Sequence, residues 1–149
     1  MCALLLTQNS GRRRCGGADY GRDMTDSAIE SLGVHHVSIN VRDAAQGVAF
    51  YTEVLGLTLR DDRPDFSFGG AWLDIGDQQV HLIEAEVPAD CGQHVAIRVA
   101  DIDTAVAALR HRGVEVSDPK PVASSRQSFL RDPSGNLIEL HEPSISIGV

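Results

Sequence analysis

Apolar and other residues alternate along His36-Val37-Ser38-Ile39-Asn40-Val41-Arg42-Asp43. The same alternation returns 58 residues later as His94-Val95-Ala96-Ile97-Arg98-Val99-Ala100-Asp101. A period of two marks a strand with one face against a core. Val37, Ile39 and Val41 share that face, as do Val95, Ile97 and Val99. His36, Ser38 and Asn40 lie on the other face, with His94, Ala96 and Arg98 as their counterparts. The offset holds again further on, where Val80-His81-Leu82-Ile83-Glu84 matches Ile138-Glu139-Leu140-His141-Glu142. Two matching strands in one register predict a duplicated module, and two copies of so long a unit point to a paired domain rather than a solenoid.

Behind each first strand the period changes to that of a helix. Asp43 caps it in the first copy, with Gln46 three residues on, and Ala44, Val48, Tyr51 and Leu55 form an apolar stripe closed by Gly56. Asp101, the stripe Ile102, Ala105, Val106 and Leu109, and Gly113 do the same in the second. Three strands follow each helix: 57–60, 68–75 and 79–85, then 114–117, 126–131 and 136–141. Asp132-Pro133-Ser134-Gly135-Asn136 is a strong turn signal. The expected fold is α+β, two tandem βαβββ modules at 34–87 and 92–143 within one domain, 34–143. The sheets pair into a cup with the helices outside.

Composition narrows the partners. A chain of 149 residues with a net charge of −8 and no basic element outside its head does not suit nucleic acid. No apolar run approaches the roughly 20 residues of a spanning helix. Three cysteines, Cys2, Cys15 and Cys91, make neither a CxxC pair nor an even framework, which suits a reducing, cytoplasmic setting. Residues 1–33 differ from the rest. Their short apolar run precedes Arg12-Arg13-Arg14, the reverse of a secretory signal, so they are expected to be a disordered leader, or a mis-assigned start with Met24 as the true one. Residues 144–149 are a tail.

With the helices on the Val/Ile faces, the opposite faces are expected to line a shared groove. His36 and His94 stand at equivalent places there, as do His81 and Glu139. Three imidazoles and a carboxylate around one axis make a nitrogen and oxygen metal site with room for water or substrate. His81 is either a fourth ligand or part of the wall. Arg98 stands on the groove side, where it can hold a carboxylate or phosphate. Trp72 and Asn40 are further candidates for substrate contact, and Phe66 and Phe68 belong to wall or core. A lone strand histidine is more often a plain polar residue, and His35, His111 and His141 are read so.

The two His-headed strands, with Asp132-Pro-Ser-Gly-Asn-Leu-Ile-Glu139-Leu, resemble the vicinal oxygen chelate superfamily of glyoxalase I, extradiol dioxygenases, epimerases and bleomycin-binding proteins. The resemblance covers about residues 34–143. It implies one divalent metal (iron, manganese, nickel, zinc or cobalt) on His36, His94 and Glu139, with His81 where glyoxalase I carries a second carboxylate. It also implies a homodimer and a small substrate chelated through adjacent oxygens. A glyoxalase-like lyase or isomerase is the expected activity, with Glu139 or His81 moving the proton. A ferrous dioxygenase using the same two His and one carboxylate, and a metal-free drug-binding protein, are the alternatives.

Overall fold

The computed structural model describes residues 29–144. The expectations for Met24 and most of the leader therefore fall outside the described residues, as does nearly all of the tail. The compact unit begins at Gly33. Its elements run β1 (His36–Val41), α1 (Ala44–Ala49), a π-helical turn (Phe50–Val54), β2 (Thr58–Leu59), β3 (Gly70–Ile75), β4 (Gln78–Glu84), β5 (His94–Arg98), α2 (Ile102–His111), β6 (Lys120–Val122), β7 (Ser125–Arg131) and β8 (Leu137–Glu142). Two four-stranded mixed sheets result, ordered β1-β4-β3-β2 and β5-β8-β7-β6. In each, the first strand runs parallel to the last and the others are antiparallel. This is the paired βαβββ architecture.

The caps form as the sequence predicts. Asp43 Oδ1 accepts from the Gln46 N–H at 2.9 Å and Asp101 Oδ1 from the Thr104 N–H at 2.8 Å. A second repeated device secures the same helix starts. Glu84 accepts from the Ala44 N–H, and Glu142 from the Ile102 N–H, so the last strand of each module satisfies an orphan amide of its own helix.

Two elements differ from expectation. The first helix is not continuous to Gly56: it widens at Phe50–Val54, where the Leu55 N–H reaches the Phe50 carbonyl five residues back. Gly47 lies against Val41 and Leu82, so the helix sits close to its sheet there. The widened turn carries the fully buried Tyr51 into the core. The segment 114–117 forms only an isolated bridge, Val116 to Leu130, and the edge strand lies at Lys120–Val122 instead. Pro119 and Pro121 are tolerated there because an edge strand leaves one side of its backbone unpaired.

One hydrophobic core joins the helix-facing sides of both sheets: Leu73, Val80 and Leu82 of the first belong to the same cluster as Leu130, Ile138 and Leu140 of the second. Val54 and Leu55, past the first helix, line a cavity together with Ile97, Val99 and Leu140 of the second module. The seam is polar as well. Asp132, 5% exposed, accepts from Tyr51 Oη at 3.1 Å, from the Ser134 and Asn136 N–H groups and from Asn136 Nδ2. Asn136 Nδ2 also donates to the Asn40 carbonyl, and the Arg42 N–H donates to Ser134 Oγ. The Asp132–Asn136 turn is thus a clasp between modules. Burial, and then the Asp132 carboxylate, push the Tyr51 phenol up. Among the described residues no helix is long and apolar enough to cross a membrane.

Candidate metal centre and substrate cleft

Strand register decides which side chains meet. His81 sits on β4 between Ser38 of β1 and Trp72 of β3. Glu139 sits on β8 between Ala96 of β5 and Phe129 of β7. The two positions are equivalent, and their surroundings differ in chemistry.

In the first module the rings stack. His36 lies 4.1 Å from His81 between centroids at 13°, and His81 lies 4.6 Å from Trp72 at 14°. His81 Nε2 is 2.9 Å from Gln79 Oε1. An amide oxygen only accepts, so Nε2 carries the proton and Nδ1 keeps its lone pair. Burial, and then the nearby His36, His35 and Arg60 side chains, hold the His81 pKa below the usual histidine value. His36 Nδ1 shares a hydrogen bond with His35 Nδ1 at 2.9 Å, which leaves its Nε2 uncommitted to that contact.

In the second module a buried carboxylate stands between two imidazoles. Glu139 is 4% exposed. His94 Nε2 approaches its Oε2 at 3.0 Å and His141 Nδ1 its Oε1 at 2.8 Å. His94 Nδ1 donates to the Gly92 carbonyl at 2.9 Å. Fixing one imidazole nitrogen on a main-chain carbonyl turns the other outward as a donor, which is how metal-ligating histidines are oriented. A nitrogen and an oxygen 3.0 Å apart match two ligands of one ion, each roughly 2.1 Å from it.

The donors therefore fit a metal in halves. The structure brings His36 to His81 and His94 to Glu139. Among the described residues, no three His, Cys, Asp or Glu side chains are arranged to hold one ion. The four expected ligands stand in the folded chain as these two pairs.

The other candidates are placed as follows. Trp72 is half-buried in the ring stack. Asn40 Nδ2 donates to the Glu86 carbonyl at 2.7 Å. With Val37, Ile39, His94, Val95 and Asn136 it lines a cavity of about 300 Å³ between β1 and β5. Arg98 is exposed at the end of β5, beside Val99 and Pro143. The sequence set His141 aside as a plain polar residue and did not single out Phe129. His141 matches Ile83 in the repeat, so a symmetry criterion passes over it. Phe129, the counterpart of Trp72, is displaced by one residue from the repeat offset. The five-residue turn of the second hairpin, against two residues in the first, shifts the pairing by one.

Two polar half-sites on paired βαβββ sheets define a protein class. The Glyoxalase/Bleomycin resistance protein/Dioxygenase superfamily matches residues 33–140, and the chain belongs to it. It is 33% identical over 122 residues to the uncharacterized protein YaeR of Escherichia coli K12, covering 73% of this chain and 95% of that one. It is 30% identical over 122 residues to a probable lactoylglutathione lyase of Vibrio cholerae, covering 70% and 86%. Among solved structures, it resembles TnmS3, an antibiotic binding protein from Streptomyces sp. CB03234, with a TM-score of 0.68 and 30% identity over 80% of this chain and all of that one.

Proposed function

We propose that the chain is a metal-dependent lyase or isomerase of glyoxalase type, acting on a small substrate with two adjacent oxygens. Its centre is completed by a second copy of the chain. The observation that carries the reading is the His94–Glu139 pair, with His94 oriented by the Gly92 carbonyl. The equivalent His36–His81 pair adds the other two donors. A divalent ion held by His36 and His81 of one copy and His94 and Glu139 of the other would polarise the two oxygens as a Lewis acid.

The chain's own groups do the rest. Glu139, which accepts from His141 Nδ1, is a fixed carboxylate able to take a proton from one carbon and return it to its neighbour. With the ion on His36, His94 and Glu139 alone, His81 would have the same capacity at Nδ1, the lone pair left once its Nε2–H is given to Gln79. Trp72 stacks on His81 and Phe129 meets His94 edge to face, and Arg98 remains a candidate for an acidic substrate group.

The test is complementation between His36→Ala and His94→Ala chains. Each variant alone should lose stoichiometric metal and hemithioacetal isomerisation. A mixed dimer should regain one site in two, because one combination of halves is intact. Failure to regain any metal in mixed dimers would rule out a shared centre. Dioxygen uptake on catechols, confined to iron-loaded protein and lost in His81→Glu, would replace the isomerase with a ferrous dioxygenase, which needs its remaining positions free.

A further inference from the structure

The ten-residue connection from β2 to β3 is long for a hairpin loop and carries features the reaction above does not use. Phe66 and Phe68 are 39% and 45% exposed, with parallel rings 5.2 Å apart at 7°. Phe66 also meets Trp72 at 6.2 Å. The Arg63 guanidinium lies 4.8 Å over Phe66 and 5.5 Å from Phe68. Arg63 donates to the Phe68 carbonyl at 2.9 Å and more weakly to that of Pro64, which ties the loop back on itself. Gly70 ends the loop at φ +149, where a Cβ would lie 2.1 Å from the Leu82 carbonyl oxygen. The loop is thus drawn tight against β4.

Charge in the loop is unevenly matched. Arg60 takes both Asp62 and Asp74. Asp61 and Asp65 are exposed. Arg63 is held by main-chain carbonyls, and no carboxylate among the described residues forms an ion pair with it. A cation above two aromatic faces, next to a cavity of about 140 Å³ lined by Phe66, Phe68, Trp72 and His81, suits a specific kind of ligand. A flat unsaturated ring stacks on the aromatic walls, and an acidic group on that ring takes the guanidinium in two parallel hydrogen bonds. The volume accommodates one ring.

We infer that Arg63, Phe66, Phe68 and Trp72 form a subsite for an aromatic carboxylate. As the substrate-holding part of the active centre it rests on the function proposed above. As a binding site it needs neither metal nor a second copy. His81 joins the two, since it lines the subsite and stacks on His36.

Trp72 is the single tryptophan of the chain, so its fluorescence reports on this subsite directly. Full-length protein treated with a chelator is titrated with benzoate, benzyl alcohol and cyclohexanecarboxylate. Benzoate should give a saturable change and bind at least tenfold more tightly than either analogue. Arg63→Gln should remove that preference and leave benzyl alcohol as it was. Phe66→Leu should weaken both aromatic ligands. Far-UV circular dichroism confirms that both variants, which alter an exposed loop, are folded. His94→Ala, in the other module, should bind benzoate like the parent even though it fails the metal test. Equal affinity for benzoate and benzyl alcohol, wild-type benzoate affinity in Arg63→Gln, or no saturable response would each overturn the subsite. Loss of benzoate binding in His94→Ala would show that the centre, not the loop, takes the acid.

Discussion

The two modules share a backbone plan and part company at the polar face. Each has a capped helix, a glutamate returning from the last strand to that helix, and an aromatic on the third strand beside the key position. Around His81 the neighbours are rings, and the site is flat and polarisable. Around Glu139 they are imidazole nitrogens aimed at a buried carboxylate. Duplication of a fold therefore conserves where a side chain points, and the residue type placed there sets the chemistry. One half-site supplies fixed charge and the other a stacking surface with nitrogen donors.

On the proposed function, the contrast should be sharpest in metal affinity. Glu139→Gln removes the one anionic donor, itself 4% exposed, and should cost on the order of 100-fold in affinity. His81→Gln removes a neutral donor and should cost about tenfold. Competition with a chromogenic chelator measures both, and equal losses would show that the two halves contribute alike.

The seam comes next. Asp132→Ala strips the acceptor from Tyr51 and from the clasp amides, leaving buried donors unpaired, and should destabilise the protein by about 3 kcal/mol. Urea unfolding measures it. A loss under about 1 kcal/mol would mean that the modules are held by their shared core without help from the clasp.

The smallest effect distinguishes the two helix starts. Asp103 on α2 pairs with Arg126 of β7 at 2.7 Å, a link with no counterpart on α1, where Ala45 stands. Arg126 holds the Asp103 carboxyl below its ordinary value of 3.8. In acid the unfolded chain then takes up that proton first. The contribution is complete above the ordinary value and fades as pH falls toward the lowered one. Asp103→Asn should leave the neutral-pH melting temperature nearly unchanged, since the pair is exposed, and should flatten the acid limb. An unaltered acid limb would show that the pair carries no linkage.

Much of this was written in local pattern. Alternation over 36–41 and 94–98 placed the first strands, Asp43 and Asp101 placed the helix starts, and the 58-residue register paired His36 with His94 and His81 with Glu139. Those readings depend on which way a side chain points, and backbone geometry alone sets that. Tertiary structure decided the rest. The widening at Phe50–Val54 depends on burying Tyr51 against Asp132, a partner 81 residues away. His141 and Phe129 enter the site through the pairing of β7 with β8, which the longer turn shifts by one residue. Above all, an apolar face specifies that it must be covered and does not specify by what. The two sheets cover theirs together in one core, and the four candidate donors, legible one by one in the sequence, stand in the folded chain as the pairs His36–His81 and His94–Glu139.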